Sequence, residues 1–395
     1  MPGLTGSRPI RVLHVCTVFL TAQAFISPVA RYLTEEGYEV MVACSGADVA
    51  DGPGLLTSQD IAGCPVHLVP IPRAIRPLQD LRALWLLYRL ICRLKPDIVH
   101  TQTSKAGVIG RLAARLAGTR VIIHTAHAFP FHPYLLAPIR YAYVLFERWA
   151  ANFADLIMVD TESVRAEGLR FRVVRDAAKL VTVPMGIDLK KFSPSLDGPG
   201  TLRRILGIGP QEFVVGVVAR LVPDKGHQCF LEMAAKILAV CRNVHFLIVG
   251  DGPLRADLES LAGRLGIQPH VIFAGHRTDI PALMEVMDVF VLPTLREGFG
   301  VAFAEAMAVG RAVVGSRIGP VAEVVEDGVT GYLVSPDSSK DFADRVLVLL
   351  NDADRRRAFG EAGRHRVGSC FSERRMCEMI EQHYRSLLAC KPHVR

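Results

Sequence analysis

No long apolar run, no paired cysteines and no dinucleotide fingerprint occur in this 395-residue chain. Each absence removes a class of function. The nine cysteines, an odd number, stand singly at positions 16, 44, 64, 92, 229, 241, 370, 377 and 390. Without a CxxC pair or a Cys/His cluster at zinc spacing, they point to a reducing compartment and supply no structural metal site. The stretch 12–30 lacks Asp, Glu, Lys and Arg, but Thr, Gln, Ser and Pro28 interrupt it too often for a bilayer span. Arg8, Arg11, the run 12–20 and Ala22-Gln23-Ala24 imitate a secretory leader with its cleavage site. His14, Thr17 and the β-branching of the run fit a first buried strand instead, which cleavage would remove. No GxGxxG follows the first expected strand of either half, which argues against an NAD or FAD oxidoreductase. Zinc-finger, RRM and helix-turn-helix signatures are also missing, so nucleic acid is not an expected partner.

What is present describes a well-cored globular chain: 50% hydrophobic and 22% charged, with length for two domains of ordinary size. Charge is uneven. Of 46 Lys and Arg against 39 Asp and Glu, residues 1–195 hold 22 against 15, which is the entire surplus of +7. A basic half suits anionic lipid or a phosphorylated substrate. β-Branched runs at 10–16, 39–44, 66–71, 97–101, 121–125, 156–160 and 180–184 alternate with helical periodicity at 27–36, 78–94, 105–116 and 135–153. This is the rhythm of a parallel, doubly wound α/β sheet. A breaker-rich linker, 193–200, follows, and the rhythm restarts at 213–219, 244–249, 271–274, 289–293, 312–315 and 331–334. The last sixty residues or so read as helical, ending in 372–389. The expected organisation is an N-terminal domain over 1–192, a C-terminal domain over 201–371, and a final helix, 372–395, returning to the first. Such paired sheets bind ligands at the carboxyl ends of their strands.

The chemistry gathers at Glu297-Gly298-Phe299-Gly300-Val301-Ala302-Phe303-Ala304-Glu305. A buried strand, a glycine turn and a helix beginning near Gly300 would present unpaired amides and a favourable dipole to an anion. Glu297 and Glu305 are then left to accept hydrogen bonds from hydroxyls. A sugar nucleotide offers hydroxyls on both sides of a diphosphate. Each glutamate taken alone reads better as a solvated helix-end residue. Arg220, with Lys225-Gly226 five residues later at a helix start, suits a diphosphate whose charge grows as its bond to the sugar breaks. Gly250-Asp251-Gly252-Pro253 and Gly275-His276-Arg277 close the next two strands, the latter able to offer backbone groups to a nucleobase. Ordinary turn chemistry explains both equally well.

Taken in order, Ala219-Arg220, Lys225-Gly226, Gly250-Asp251-Gly252-Pro253, Phe273-Ala274-Gly275, Glu297 with Glu305, and Gly328 with Thr330-Gly331 resemble the family 4 retaining glycosyltransferases of GT-B fold. The resemblance covers essentially the whole chain. It implies that Arg220 and Lys225 bind the donor diphosphate, that Glu305 binds the ribose hydroxyls, and that Glu297 meets the sugar. The backbone of Phe299 and Gly300 would lie nearby and that of Val301 and Ala302 at the phosphates, with Gly298, Gly250, Gly252, His276 and Arg277 in the same substrate-binding set. In the first half, the stretch from His100 to Gly107, which contains Lys105, resembles the HTHTPKAG segment of enzymes that glycosylate polyprenyl-diphosphate-linked sugars. The stretch from His124 to Phe131 resembles their HxxHGxxF region and implies that His127 lies beside the donor sugar; alone, His127 reads as well as a core histidine. The sequence departs from the family at Leu20–Ala24, where many members carry a Gly-Gly pair, at Ala128 and at Met185. All three departures fall on the acceptor side.

These implications give a metal-independent hexosyltransferase with no cofactor beyond its nucleotide-sugar co-substrate. Its acceptor would be a glycan or lipid-linked sugar, and its place the cytoplasm or the inner face of the cell membrane. Two helical stretches add a membrane surface as an expected partner. In 78–94, Arg82, Arg89 and Arg93 share a face with Leu86; in 134–150, Arg140 and Arg148 mix with Tyr141, Tyr143, Phe146 and Trp149. A sugar-nucleotide epimerase of the same fold and a non-catalytic sugar-nucleotide-binding protein remain as alternatives.

Overall fold

The structure is a computed structural model that describes residues 8–46, 60–72, 74, 76–132, 135–194 and 198–391. Tyr134 and linker residues 195–197 lie outside the described residues. The chain divides into two units, one of Met1–Pro184 with Arg374–Arg395, the other Met185–Glu373.

In the first unit the strands are β1 (Arg11–Val18), β2 (Glu39–Ser45), β3 (Asp60–Ile61), β4 (Cys64–Leu68), β5 (Ile98–Gln102), β6 (Val121–Ala126), β7 (Leu156–Val159) and β8 (Leu180–Thr182). Their order across the sheet is β3-β4-β2-β1-β5-β6-β7-β8. All pairings are parallel except the short edge pair β3·β4. The second unit holds β9 (Phe213–Val218), β10 (Val244–Val249), β11 (Val271–Gly275), β12 (Val289–Leu292), β13 (Ala312–Ser316) and β14 (Gly331–Val334), all parallel, in the order β11-β10-β9-β12-β13-β14. The apolar runs form strands because helices cover both faces of each sheet. Val12 to Val18 and all of Val289–Leu292 are buried, as parallel strands require. Thirteen expected strands are found with ends shifted by no more than three residues; β3 is the addition.

Both sheets start from a central strand, β1 or β9, step to one side, and later resume on the other. The winding therefore reverses between β1 and β5 and between β9 and β12, where sheets of this kind open a crevice at their carboxyl ends. In the first unit the helices Pro77–Leu94, Ser104–Leu116 and Ala137–Ala151 carry the chain in one direction across the sheet. Right-handed crossovers put all three on the same face. Ser104–Leu116 is the middle one, touching both others, and is buried over most of its length.

The expected returning helix is present as Glu373–Cys390. The buried Tyr384 hydroxyl lies 2.6 Å from His100 Nδ1 in β5. Glu381 accepts from the hydroxyls of Tyr32 and Tyr38 at 3.0 and 3.2 Å, and Lys391 Nζ reaches Asp155 at 2.6 Å. Among the described residues, no helix is long and apolar enough to cross a membrane.

Truncating Tyr384 opens a cavity and orphans His100. Tyr384→Ala should cost the first unit about 3–5 kcal/mol, and Tyr384→Phe only about 1–2 kcal/mol for the lost hydrogen bond. Urea unfolding read on Trp85 and Trp149, both in that unit, measures this. Equal midpoints for wild type and Tyr384→Ala would show that the terminal helix is dispensable to the unit.

Candidate functional site

In the second unit the loop after β9 begins with Arg220, which is exposed and makes no side-chain ion pair or hydrogen bond among the described residues. The chain then forms the tight turn Pro223–Lys225. Gly226, at φ +69°, both ends this turn and begins the helix His227–Leu238. A Cβ at Gly226 would fall 1.8 Å from the Pro293 carbonyl oxygen, so only glycine fits. The Asp224 carbonyl accepts from Thr294 Oγ1 at 3.0 Å and from Leu295 N at 2.8 Å. The turn carrying Lys225 is thereby fastened to the segment after β12. Lys225 Nζ meets Glu297 Oε1 at 2.6 Å, with both side chains mostly buried.

Gly300, at φ +96°, starts the helix Val301–Ala308. Two aromatic anchors hold this turn: Phe299 is buried against Phe371 at 5.2 Å between ring centroids, and Phe303 against Phe290 at 5.5 Å. The helix start falls at the expected place. Glu305 lies on its second turn, half-buried and without an ion pair among the described residues. Burial pushes its carboxyl up to about 7, only weakly opposed by Lys191. One expectation needs correcting: the two carboxylates are not both unpaired, because the 293–295 stitch brings Lys225 against Glu297.

Gly250 and Gly252 have a packing reason. A Cβ on Gly250 would sit 2.0 Å from the Ala219 carbonyl oxygen, and one on Gly252 2.6 Å from that of Leu221. This turn braces the loop that presents Arg220. His276 is exposed, whereas Arg277 holds Asp279 through two bonds of 2.8 and 2.6 Å.

In the first unit His127 Nδ1 lies 2.9 Å from Asp160 Oδ2, and its ring lies 4.6 Å from that of Phe25. Burial lowers the His127 pKa, but the charge and hydrogen bond of Asp160 outweigh this and leave it raised. His127 Nε2 and Asp160 Oδ1 are buried with no hydrogen-bond partner. The sequence offered a faint signal for this pair, an Asp directly after a buried strand. It offered none for Thr103, a β-branched residue held at φ +65° at the carboxyl end of β5, whose Oγ1 lies 2.7 Å from that of Thr17 near the carboxyl end of β1. Lys105 is engaged by helix Pro77–Leu94 and the segment before it, 2.7 Å from Asp80 and bonded to the Ala74 carbonyl. Residues 20–24, where many members of the family that the sequence resembles carry Gly-Gly, are helical and include part of a π-helical turn, Ala22–Ile26. Among the described residues, no three His, Cys, Asp or Glu side chains gather to hold a metal ion.

A carboxyl that ionises near 7 when folded and near 4.5 when free binds an extra proton in the folded state between those values, so stability falls as pH rises through that window. Relative to Glu305→Gln, the wild type should lose on the order of 2 kcal/mol between pH 5 and pH 8. Thermal unfolding of both proteins across that range tests this, and parallel curves would contradict the burial of the Glu305 carboxyl.

Residues 200–366 match the family model described as glycosyl transferases group 1, and residues 21–186 that described as glycosyl transferase 4-like domain. The chain is 33% identical over 284 residues to the UDP-Gal:alpha-D-GlcNAc-diphosphoundecaprenol alpha-1,3-galactosyltransferase of Escherichia coli, covering 71% of this chain and 73% of that one. It is 30% identical to the putative glycosyltransferase EpsD of Bacillus subtilis (strain 168), over 95% and 96% of the two chains. In fold it matches Anabaena Alr3699/HepE, solved in complex with UDP and glucose, with a TM-score of 0.81, 22% identity and coverage of 95% and 100%.

Proposed function

The chain belongs to the group 1 glycosyl transferases and has their GT-B fold of two α/β units, and from that premise we propose that it moves a hexose or N-acetylhexosamine from a UDP-sugar to a glycan or polyprenyl-diphosphate-linked acceptor, with retention at the anomeric carbon. The observation that carries the reading is the Lys225–Glu297 pair, held at 2.6 Å beside the start of helix Val301–Ala308. The E. coli relative is named for a UDP-sugar donor and a diphosphoundecaprenol-linked acceptor, and the HepE crystals hold UDP and glucose. Both support the reading.

In this mechanism the donor diphosphate takes up the charge of Lys225 and Arg220 and the amides of Val301 and Ala302, while the released face of Glu297 turns to the sugar hydroxyls. As the bond to the anomeric carbon breaks, both cations meet the negative charge that develops on the leaving phosphate. The acceptor hydroxyl attacks on the face that the diphosphate leaves and gives its proton to a phosphate oxygen, so no enzymic nucleophile is required. Glu305 accepts from the ribose hydroxyls. These bonds favour the ionised carboxylate, so donor binding near neutral pH should release a proton. In the first unit Asp160 holds His127 at Nδ1, which leaves Nε2 to meet a hydroxyl of a bound sugar. The cations carry the neutralising role, so turnover should persist in EDTA. The reaction belongs at the inner face of the cell membrane, with the basic N-terminal half toward anionic lipid.

Lys225→Ala and Glu305→Ala should each lower kcat/KM by at least ~10²-fold, on the scale of losing one charge-stabilising group. The assay is a panel of UDP-sugars with a polyprenyl-diphosphate-linked acceptor. Near-wild-type rates in both variants would refute the site, and full turnover without acceptor would favour an epimerase.

A further inference from the structure

Helix Ala137–Ala151 breaks the pattern of a surface helix. It buries only Val144, Glu147, Ala150 and Ala151. Its outward side carries Ile139, Tyr141, Leu145, Phe146 and Trp149, each between 45% and 60% exposed, where a helix on a soluble protein carries charge. Its one acid, Glu147, is turned inward, 3.6 Å from the fully buried Arg111 on the neighbouring helix Ser104–Leu116. The outward side therefore has no negative charge; Arg148 stands at one edge of it with its Nε donating to the Phe171 carbonyl at 2.9 Å, and Arg140 lies one turn before Val144 on the inner stripe, both half-buried. Helix Pro77–Leu94, on the same face of the sheet, repeats the composition. Leu78, Leu81 and Trp85 are exposed, and the Arg89 guanidinium lies over the Trp85 ring at 4.7 Å.

We infer that this face docks on an anionic phospholipid bilayer, with helix Ala137–Ala151 seated at the boundary between headgroups and acyl chains and helix Pro77–Leu94, on the far side of Ser104–Leu116, meeting the same surface. The choice of occupant follows from charge. The half that carries both helices holds the whole positive surplus of the chain, and that surplus, with Arg82 and Arg89 exposed on helix Pro77–Leu94, complements anionic headgroups while the apolar stripe enters the acyl boundary. Fifteen residues do not span a bilayer, so the helix lies in the plane of the interface. The Arg111–Glu147 pair fixes which side faces out. A buried charge pair adds little stability over an apolar one, but turning Glu147 outward would strand Arg111 inside. The inference deepens the membrane part of the proposed function, and its test uses neither donor nor acceptor, so it can fail while sugar transfer stands.

Trp85 and Trp149 are the only tryptophans of the chain, so emission reports this face directly. The full-length protein is mixed with phosphatidylcholine vesicles with and without phosphatidylglycerol. In the Trp85→Phe variant, Trp149 emission should shift to the blue with phosphatidylglycerol present and be quenched by brominated acyl chains. Trp149→Phe should show the same for Trp85 with a smaller shift. The double variant Leu145→Gln with Phe146→Gln should bind the anionic vesicles at least ~10-fold more weakly in co-sedimentation, and Arg89→Gln several-fold more weakly. Circular dichroism confirms that the variants are folded. Unchanged Trp149 emission, or co-sedimentation of the double variant equal to wild type, overturns the proposal. So does Trp149 emission that is already blue without lipid and shifts to the red on dilution, because a second copy would then cover the face.

Discussion

The second unit is organised around a contact between residues 72 apart, the ammonium of Lys225 against the carboxylate of Glu297. Neither side chain reaches the other unaided. The Asp224 carbonyl must accept from Thr294 and Leu295, and residue 226 must lack a side chain so that the Pro293 carbonyl can pass beneath it. A lysine and a glutamate taken out of water separately would each be costly; together they offset one another and keep a cation in place where a diphosphate is to be met. The loops braced by Gly250 and Gly252 and the aromatic anchors at Phe299 and Phe303 hold the surroundings of that contact.

Much of this was legible in the sequence for a simple reason. Strands buried on both faces read as unbroken apolar runs, and a glycine turn before a small-residue helix reads as an anion site. Thirteen strands and the helix start at Gly300 follow from those two signals. What stayed hidden depends on contacts between distant segments. The β3 edge is two residues long and carries no pattern of its own. The Lys105–Asp80 and Lys225–Glu297 pairs each join residues whose proximity only the sheet order creates. Family resemblance pointed to His127 but not to its contact with Asp160, which follows the neighbouring strand β7.

The interior of the first unit shows how one environment sets different protonation states. His14, His100 and His124 lie on β1, β5 and β6 in a solvent-free layer, and burial holds all three below the ordinary histidine pKa, His14 at about 4. They stay neutral and act as hydrogen-bonding or packing groups; His100, for instance, bridges the Tyr384 and Thr125 hydroxyls. Only His127 has a carboxylate beside it, and only His127 is raised. Of these four imidazoles, one is therefore set to carry charge near neutral pH, and it stands past the end of its strand, where ligands approach such a sheet.

The terminal helix has a consequence for biosynthesis. Tyr384 and Glu381 complete a layer otherwise made by residues before Pro184, with Glu373 the last residue of the other unit. A polypeptide emerging from the ribosome thus delivers every strand of its first sheet early, yet withholds the piece that closes it until the whole second unit has been made. During translation the later-made sheet can reach its finished state first, and the earlier one must wait with His100 and two tyrosine hydroxyls uncovered.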